Sequence, residues 1–224
     1  VIVLGLTGSI AMGKSEAARM LRRFDIPVFD SDAAVHSLLA EGGGAVDAVA
    51  AAFPGVVQNG AVDRKALGAQ VFGEPDKLAQ LEQILHPKVF DAQRRFLADA
   101  DQKASFLAAL DIPLLFETGG EAKVDRVAVV SAPAPVQKAR ALARPGMTEQ
   151  RLNAVLAQQL PDAEKRRRAD YILNSGDGKR PMLRDITAML RDLQGVKAGV
   201  WPWPVADDHW STFALPADRK PPHA

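Results

Sequence analysis

Gly8-Ser9-Ile10-Ala11-Met12-Gly13-Lys14-Ser15 decides the reading of this chain. The stretch fits G-x-x-x-x-G-K-[ST] at every fixed position. It also stands where that pattern has a mechanism, between an apolar run and a helix. The run, Val1 to Leu6, is nearly continuous and rich in β-branched residues, the habit of a strand buried on both faces of a parallel sheet. The helix, over 15–24, carries Ala17, Met20, Leu21 and Phe24 at helical spacing. In such a turn Gly8 and Gly13 let successive N–H groups converge on phosphate oxygens, and the helix dipole points its positive end at the same place. Lys14 then reaches the β- and γ-phosphates, and the Ser15 hydroxyl is placed to ligate Mg²⁺. A tight turn with a surface lysine is the bland alternative, but a turn alone needs neither the Lys nor the Ser at those offsets. Glu16 is out of keeping beside a polyphosphate, although its position lets it point to solvent. The stretch reads as a nucleoside-triphosphate site built from Gly8, Ala11, Met12, Gly13, Lys14, Ser15 and Glu16.

Outward from this loop the chain alternates between strands and helices. Strands are expected at 26–30, 106–112, 124–131 and 170–173, and helices at 32–39, 134–143 and 148–160. A last amphipathic helix carries Met182, Leu183, Ile186, Met189, Leu190 and Leu193 on one stripe, read as core. Such alternation implies a five-stranded parallel sheet covered by helices on both sides. Gly42-Gly43-Gly44 interrupts it, and from Ala45 to Asp101 the only signals are helical, with Leu78, Leu81, Ile84 and Leu85 as one stripe. That segment is too long for a crossover and reads as a helical insertion. After Gly195 the composition turns Pro-rich, and Trp201, Trp203 and Trp210 all lie there, either packing on the core or meeting a partner.

Composition excludes several classes of chemistry. The chain contains no Cys, so disulfides, Cys-based zinc sites, iron–sulfur clusters and thiol nucleophiles are ruled out. His36, His86, His209 and His223 share no helical face, which argues against a His-based metal site. Lys+Arg 28 against Asp+Glu 27 gives a net charge of +1, so no global field favours nucleic acid or an acidic membrane. The run Lys165-Arg166-Arg167-Arg168 has no interleaved aromatics and reads as an exposed helix face near a polyanion. No apolar stretch approaches the roughly 20 residues that span a bilayer. A cytoplasmic protein without nucleic-acid or membrane partners, monomeric or weakly homo-oligomeric, is expected.

The remaining motifs narrow what is done with the nucleotide. No Asn is followed by Lys, so the guanine signature of GTPases is missing, and Asp111 leads into Ile112-Pro113-Leu114 rather than Asp-x-x-Gly or Asp-Glu. A small phosphoryl-transfer enzyme remains, which needs an acceptor hydroxyl, a carboxylate to orient it and arginines in a lid. Phe29-Asp30-Ser31-Asp32 supplies the carboxylates at the carboxyl end of a strand, where ligand crevices form. Either Asp30 or Asp32 could face the acceptor. Asp32 is the favoured proton acceptor, with an N-cap of the following helix as its structural alternative.

Taken together, the loop, Val28-Phe29-Asp30-Ser31-Asp32, Ile84-Leu85-His86-Pro87 and Asp111-Ile112-Pro113-Leu114-Leu115-Phe116-Glu117 resemble the dephospho-CoA kinase family. Gln137-Lys138-Ala139-Arg140, Val155 to Gln159 and Asp170 to Asn174 extend the resemblance over about residues 1–194. It implies a P-loop kinase-like α/β fold with a core over 1–40 and 105–194, a short helical lid over about 138–168 and a CoA-precursor-binding insertion over 41–104, while the Pro/Trp-rich tail over 195–224 departs from the family. It further implies MgATP as donor and the ribose 3′-hydroxyl of dephospho-CoA as acceptor. A kinase for another small acceptor, such as a nucleoside monophosphate, and a nucleotide-dependent switch protein are the alternatives. On this resemblance Asp32, Lys14 and Arg140 are catalytic, and Arg144, Asn174 and Gly176 join the nucleotide site. Thr7, His86, Leu114, Leu115 and Glu117 fall on the acceptor side. Solvated helix faces are the structural alternatives for Arg140 and Arg144, helix-end packing for His86, and a structural hydrogen bond for Glu117.

Overall fold

The computed structural model describes residues 1–203. Its sheet is five-stranded and parallel, in the order β2-β5-β1-β6-β7. Strand β1 (Ile2–Thr7) is buried at every residue, as its apolar run requires. It pairs in parallel with β5 (Leu107–Asp111) on one side and β6 (Arg126–Ser131) on the other. Strand β2 (Val28–Asp30) flanks β5, and β7 (Tyr171–Asn174) pairs in parallel with β6. The chain thus leaves β1 toward one edge and later returns to fill the other, so a crevice opens at the carboxyl end of β1. The phosphate loop stands there.

Two compact units partition the chain. Among the described residues the first comprises 1–29 with 97–203, and the second is Asp30–Phe96. In the first unit α1 (Lys14–Arg22) and α9 (Lys179–Leu193) cover the sheet, burying Ala17, Met20 and Leu21 from one and Met182, Ile186, Met189 and Leu193 from the other. Phe24, expected on the α1 stripe, lies beyond the helix end and is 40% exposed, and Leu183 is 42% exposed. Helices α6 (Ala134–Leu142), α7 (Glu149–Ala157) and α8 (Asp162–Arg168) fill the segment between β6 and β7.

The second unit contains α2 (Ser31–Leu39), α3 (Val46–Ala52), α4 (Arg64–Val71) and most of α5 (Pro75–Gln102) around its own core, including Val49, Phe53, Leu81 and Leu85. It takes in α2 and ends inside α5, so its bounds differ from the 41–104 expected for the insertion. It is also not wholly helical. Strands β3 (Val57–Gln58) and β4 (Ala61–Val62) pair antiparallel. Asn59 and Gly60 between them both take positive φ, 51° and 76°. Asn-Gly is the preferred pair for a tight hairpin turn, so the signal was present and helical periodicity around it masked it. Leu81 and Leu85 enter the core whereas Leu78 is 45% exposed.

The segment after α9 packs on the first unit. Trp203 is 4% exposed and its Nε1 donates to Lys123 O at 3.2 Å, while Trp201 Nε1 donates to Asp101 Oδ2 at 3.2 Å. Buried Asp125 joins this segment to the sheet, because Oδ1 accepts the N–H groups of Gly199 and Val200 and Oδ2 accepts that of Val3. Core packing is the outcome for Trp203, against which half-buried Trp201 stands edge to face; Trp210 lies outside the described residues.

Candidate active site

Each residue of the phosphate loop has a local reason. A Cβ on Gly8 would stand 2.6 Å from Val130 O, so close approach to β6 excludes any other residue. The left-handed positions are Ala11, with φ 61°, and Gly13, with φ 95°. Gly8 therefore serves packing rather than backbone reversal, and Ala11 carries a conformation that costs an L-residue roughly 1–2 kcal/mol. Met12 is 2% exposed and its sulfur accepts the Ala132 N–H at 3.2 Å, so only its backbone faces the cradle. Thr7, at the end of β1, is fully buried and its hydroxyl donates to Pro113 O at 3.1 Å.

Two of the loop's amides are taken up within the protein. Ile10 N–H donates to Gln159 Oε1 at 3.0 Å and Met12 N–H to Ser9 O at 3.2 Å. The N–H groups of Ala11, Gly13, Lys14 and Ser15 have no protein acceptor among the described residues. Those four donors, converging where α1 begins, fit the oxygens of a polyphosphate. Gln137 Nε2 donates to Ile10 O at 2.9 Å, so α6 braces the loop from outside. Gln137 and Gln159 lie in the stretches that carried the family resemblance, but spacing alone gave them no role.

Lys14 is ion-paired with Asp111, the last residue of β5, with side-chain exposures of 17% and 5%. Ser15 is exposed on the first turn of α1 and its hydroxyl makes no hydrogen bond among the described residues. A hydroxyl beside a polyphosphate cradle, with a buried carboxylate on the next strand, is an oxygen donor set suited to Mg²⁺. Glu16 turns away from the cradle. The Arg19 guanidinium holds its carboxyl below the ordinary range, with Lys179 adding to the effect, and all three line an open groove of about 510 Å³ along α1 and α9. Its carboxylate thus belongs to that groove, as its pointing to solvent anticipates.

Arg140, in the last turn of α6, reaches the β7–α9 loop: Nη1 donates to Ser175 Oγ at 2.9 Å and Nη2 to Ser175 O at 2.7 Å. It is thus no solvated helix face. Arg144 is exposed and its side chain makes no hydrogen bond or ion pair among the described residues. Asn174 shapes its own loop, since Oδ1 accepts the Gly176 N–H and Nδ2 donates to Asp177, each at 2.8 Å. A Cβ on Gly176 would meet Pro133 Cδ at 2.5 Å.

The segment after β5 departs from expectation in two places. Leu114 is 40% exposed and open to a ligand, but Leu115 is fully buried against Gly5 and Gly120. Leu115 is core, not an acceptor wall. Glu117 Oε1 accepts the Leu160 N–H and pairs with Lys165 Nζ, each at 2.8 Å. Burial would raise the Glu117 pKa, yet the Lys165 ammonium and the Leu160 amide together hold it below the ordinary range. This is a structural tie to α8 rather than an acceptor contact. The same tie corrects the basic run: Lys165 is fully buried, while Arg168 pairs with Glu121 and lies 4.5 Å above the Phe116 ring. Asp162, at the start of α8, accepts the Ser131 hydroxyl at 2.7 Å.

In the second unit Asp30 is the N-cap of α2, its Oδ1 accepting the Ala33 N–H at 2.9 Å. The N-cap alternative considered for Asp32 therefore belongs to Asp30, and Asp32 is left exposed in the first turn. His86 is half-buried inside α5, which runs on through Pro87, so no helix end lies there for it to pack against.

Comparison with known proteins names the family. The model of the dephospho-CoA kinase family matches residues 2–179. The chain belongs to the dephospho-CoA kinase family. A relative from Paramagnetospirillum magneticum named dephospho-CoA kinase is 65% identical over 73% of this chain and 77% of its own length. One from Mesorhizobium japonicum with the same name is 52% identical over 87% and 98%. The solved structure of TT1252 from Thermus thermophilus matches with TM-score 0.75 at 34% identity, covering 87% of this chain and 98% of that one. The dephospho-CoA kinase of Campylobacter jejuni shares the fold, with TM-score 0.58 at 21% identity over 85% and 96%.

Proposed function

We propose that this chain transfers the γ-phosphoryl group of ATP to the ribose 3′-hydroxyl of dephospho-CoA, forming CoA and ADP, the last step of CoA biosynthesis. The observation that carries the reading is the row of four unclaimed amides running into Lys14, in a chain of this family. On this reading the acceptor oxygen attacks the γ-phosphorus, the bond to the β–γ bridging oxygen breaks, and the hydroxyl proton passes to Asp32. The amides and Lys14 hold the β- and γ-phosphates. Arg140 and Arg144 add positive charge as the lid excludes water. The loop at Asn174 and Gly176 receives the adenine through its backbone, and Thr7, His86 and Leu114 belong to the acceptor side. Ser15 would hold Mg²⁺, which when bound neutralises charge on the phosphates. Among the described residues no helix is long and apolar enough to cross a membrane. We place the enzyme in the cytoplasm as a monomer or weak homo-oligomer that binds no nucleic acid.

ADP release measured across a panel of acceptors tests this reading. Turnover with dephospho-CoA far above that with nucleoside monophosphates, adenosine or water is expected. Equal turnover with a nucleoside monophosphate, or acceptor-independent hydrolysis, overturns it.

A further inference from the structure

Ser175 joins three parts of the nucleotide site through a single buried residue. It is 4% exposed, and its N–H donates to Ser131 O at 2.9 Å, which fixes it to the end of β6. Its hydroxyl donates to Met12 O at 2.5 Å, inside the phosphate loop. A hydroxyl has one proton and two lone pairs. With the proton committed to Met12, a lone pair is turned to Arg140 Nη1, while the carbonyl of the same residue takes Nη2. Two acceptors on one anchored residue thus match the two prongs of the guanidinium and fix its plane.

The place where the guanidinium is held matters. A Cβ on Gly13 would lie 3.2 Å from Ser175 Cβ and Oγ and 3.8 Å from Arg140 Nη1. The guanidinium is therefore stationed beside Gly13, in the loop whose amides run unclaimed into α1. Arg140 has five N–H donors, and Ser175 takes two, so three remain for phosphate oxygens.

We infer that Ser175 is a positioning residue for phosphoryl transfer, holding Arg140 in place beside the phosphate loop before nucleotide arrives. This rests on the reading of Arg140 as a phosphate-binding arginine of the kinase. Charge stabilisation is effective when its donors are fixed in advance rather than gathered during reaction. Ala at 175 would keep the carbonyl and lose the hydroxyl, leaving the guanidinium on one bond and free to pivot. Because the same hydroxyl is bonded to Met12 O, the shape of the loop and the aim of the arginine are set together.

A double-mutant cycle of Ser175→Ala and Arg140→Ala, read as steady-state kinase kinetics with dephospho-CoA, is the test. Ser175→Ala should lower kcat roughly 10- to 100-fold, as misplacement of a catalytic group does, with KM for dephospho-CoA within about threefold. In the Arg140→Ala background the same change should cost less than about threefold, because coupled residues are not additive. Equal cost in both backgrounds, or full activity of Ser175→Ala, overturns the inference while leaving the kinase reading intact. Full activity of Arg140→Ala overturns the role of that arginine and with it the inference. Should Ser175→Ala melt more than about 10 °C below the parent, a large loss for one side chain, Ser175→Cys takes its place. Its sulfur is only a weak donor and acceptor, and the same two outcomes apply.

Discussion

Lys14 and Asp111 are ion-paired, which ties the cation of the phosphate loop to the carboxylate that closes the neighbouring strand. The ammonium has three donors, so the pair steadies it and leaves donors for phosphate oxygens. Lys14→Ala should lower kcat/KM for ATP at least roughly 100-fold, the usual effect of losing a donor aimed at developing charge. It should also cost about 2–4 kcal/mol of stability, because Asp111 is left buried without its cation. The double variant Lys14→Ala/Asp111→Asn should recover most of that stability and none of the activity. Urea denaturation beside kinase assays separates the two effects.

Asp30 and Asp32 have separable roles. Asp32→Asn should lower kcat by roughly 10²- to 10⁴-fold, the worth of a general base, with little change in stability because the side chain is exposed. Asp30→Ala removes the cap on α2 and should cost about 1 kcal/mol of stability with a smaller effect on kcat. The reverse pattern in the same pair of measurements would assign the proton to Asp30.

The Glu117–Lys165 pair makes a pH-dependent contribution to stability. The folded-state pKa of Glu117 is lowered, so its contribution is present above the unfolded value near 4.3 and is lost as pH falls through the folded one. Glu117→Gln should destabilise the protein by about 3 kcal/mol at pH 7, where Lys165 is left buried and unpaired. The difference from the parent should shrink as pH falls below about 4. Chemical denaturation of both proteins across that range measures it. A difference that stays constant with pH would break the link between the pair and stability.

Asp125 and Trp203 predict that the segment after α9 is part of the fold. Asp125→Ala leaves the amides of Val3, Gly199 and Val200 without their acceptor, a loss of about 3 kcal/mol. Trp203→Ala removes a buried indole and should cost about 3–5 kcal/mol. A chain ending at Gly195 should lose the Trp203 contribution and the Gly199 and Val200 bonds to Asp125, and melt well below the parent, with nucleotide affinity measured separately at low temperature unchanged.

Local pattern carried much of this protein. The glycine-rich loop, its strand and its helix could be read directly, because phosphate binding by backbone amides imposes a fixed spacing on neighbouring residues. The apolar runs marked all five sheet strands, most plainly β1 and β5, where burial of every residue leaves a continuous signature. The reading missed the Asn59-Gly60 hairpin, whose two-residue strands are too short to alternate visibly among helices.

Tertiary structure decided what each charged or polar side chain does. The identity of Glu117 or Lys165 does not reveal that a carboxylate 48 positions away neutralises a buried ammonium. Nor does Ser175 announce that it grips Arg140 and Met12 at once. Hydrogen bonds and ion pairs between segments distant in the chain depend on where the sheet and its loops place them, and no periodicity records that. Sequence alone determined the phosphate cradle and the strands around it; only the folded chain determined which group holds each cation, Asp111 for Lys14, Ser175 for Arg140 and Glu117 for Lys165.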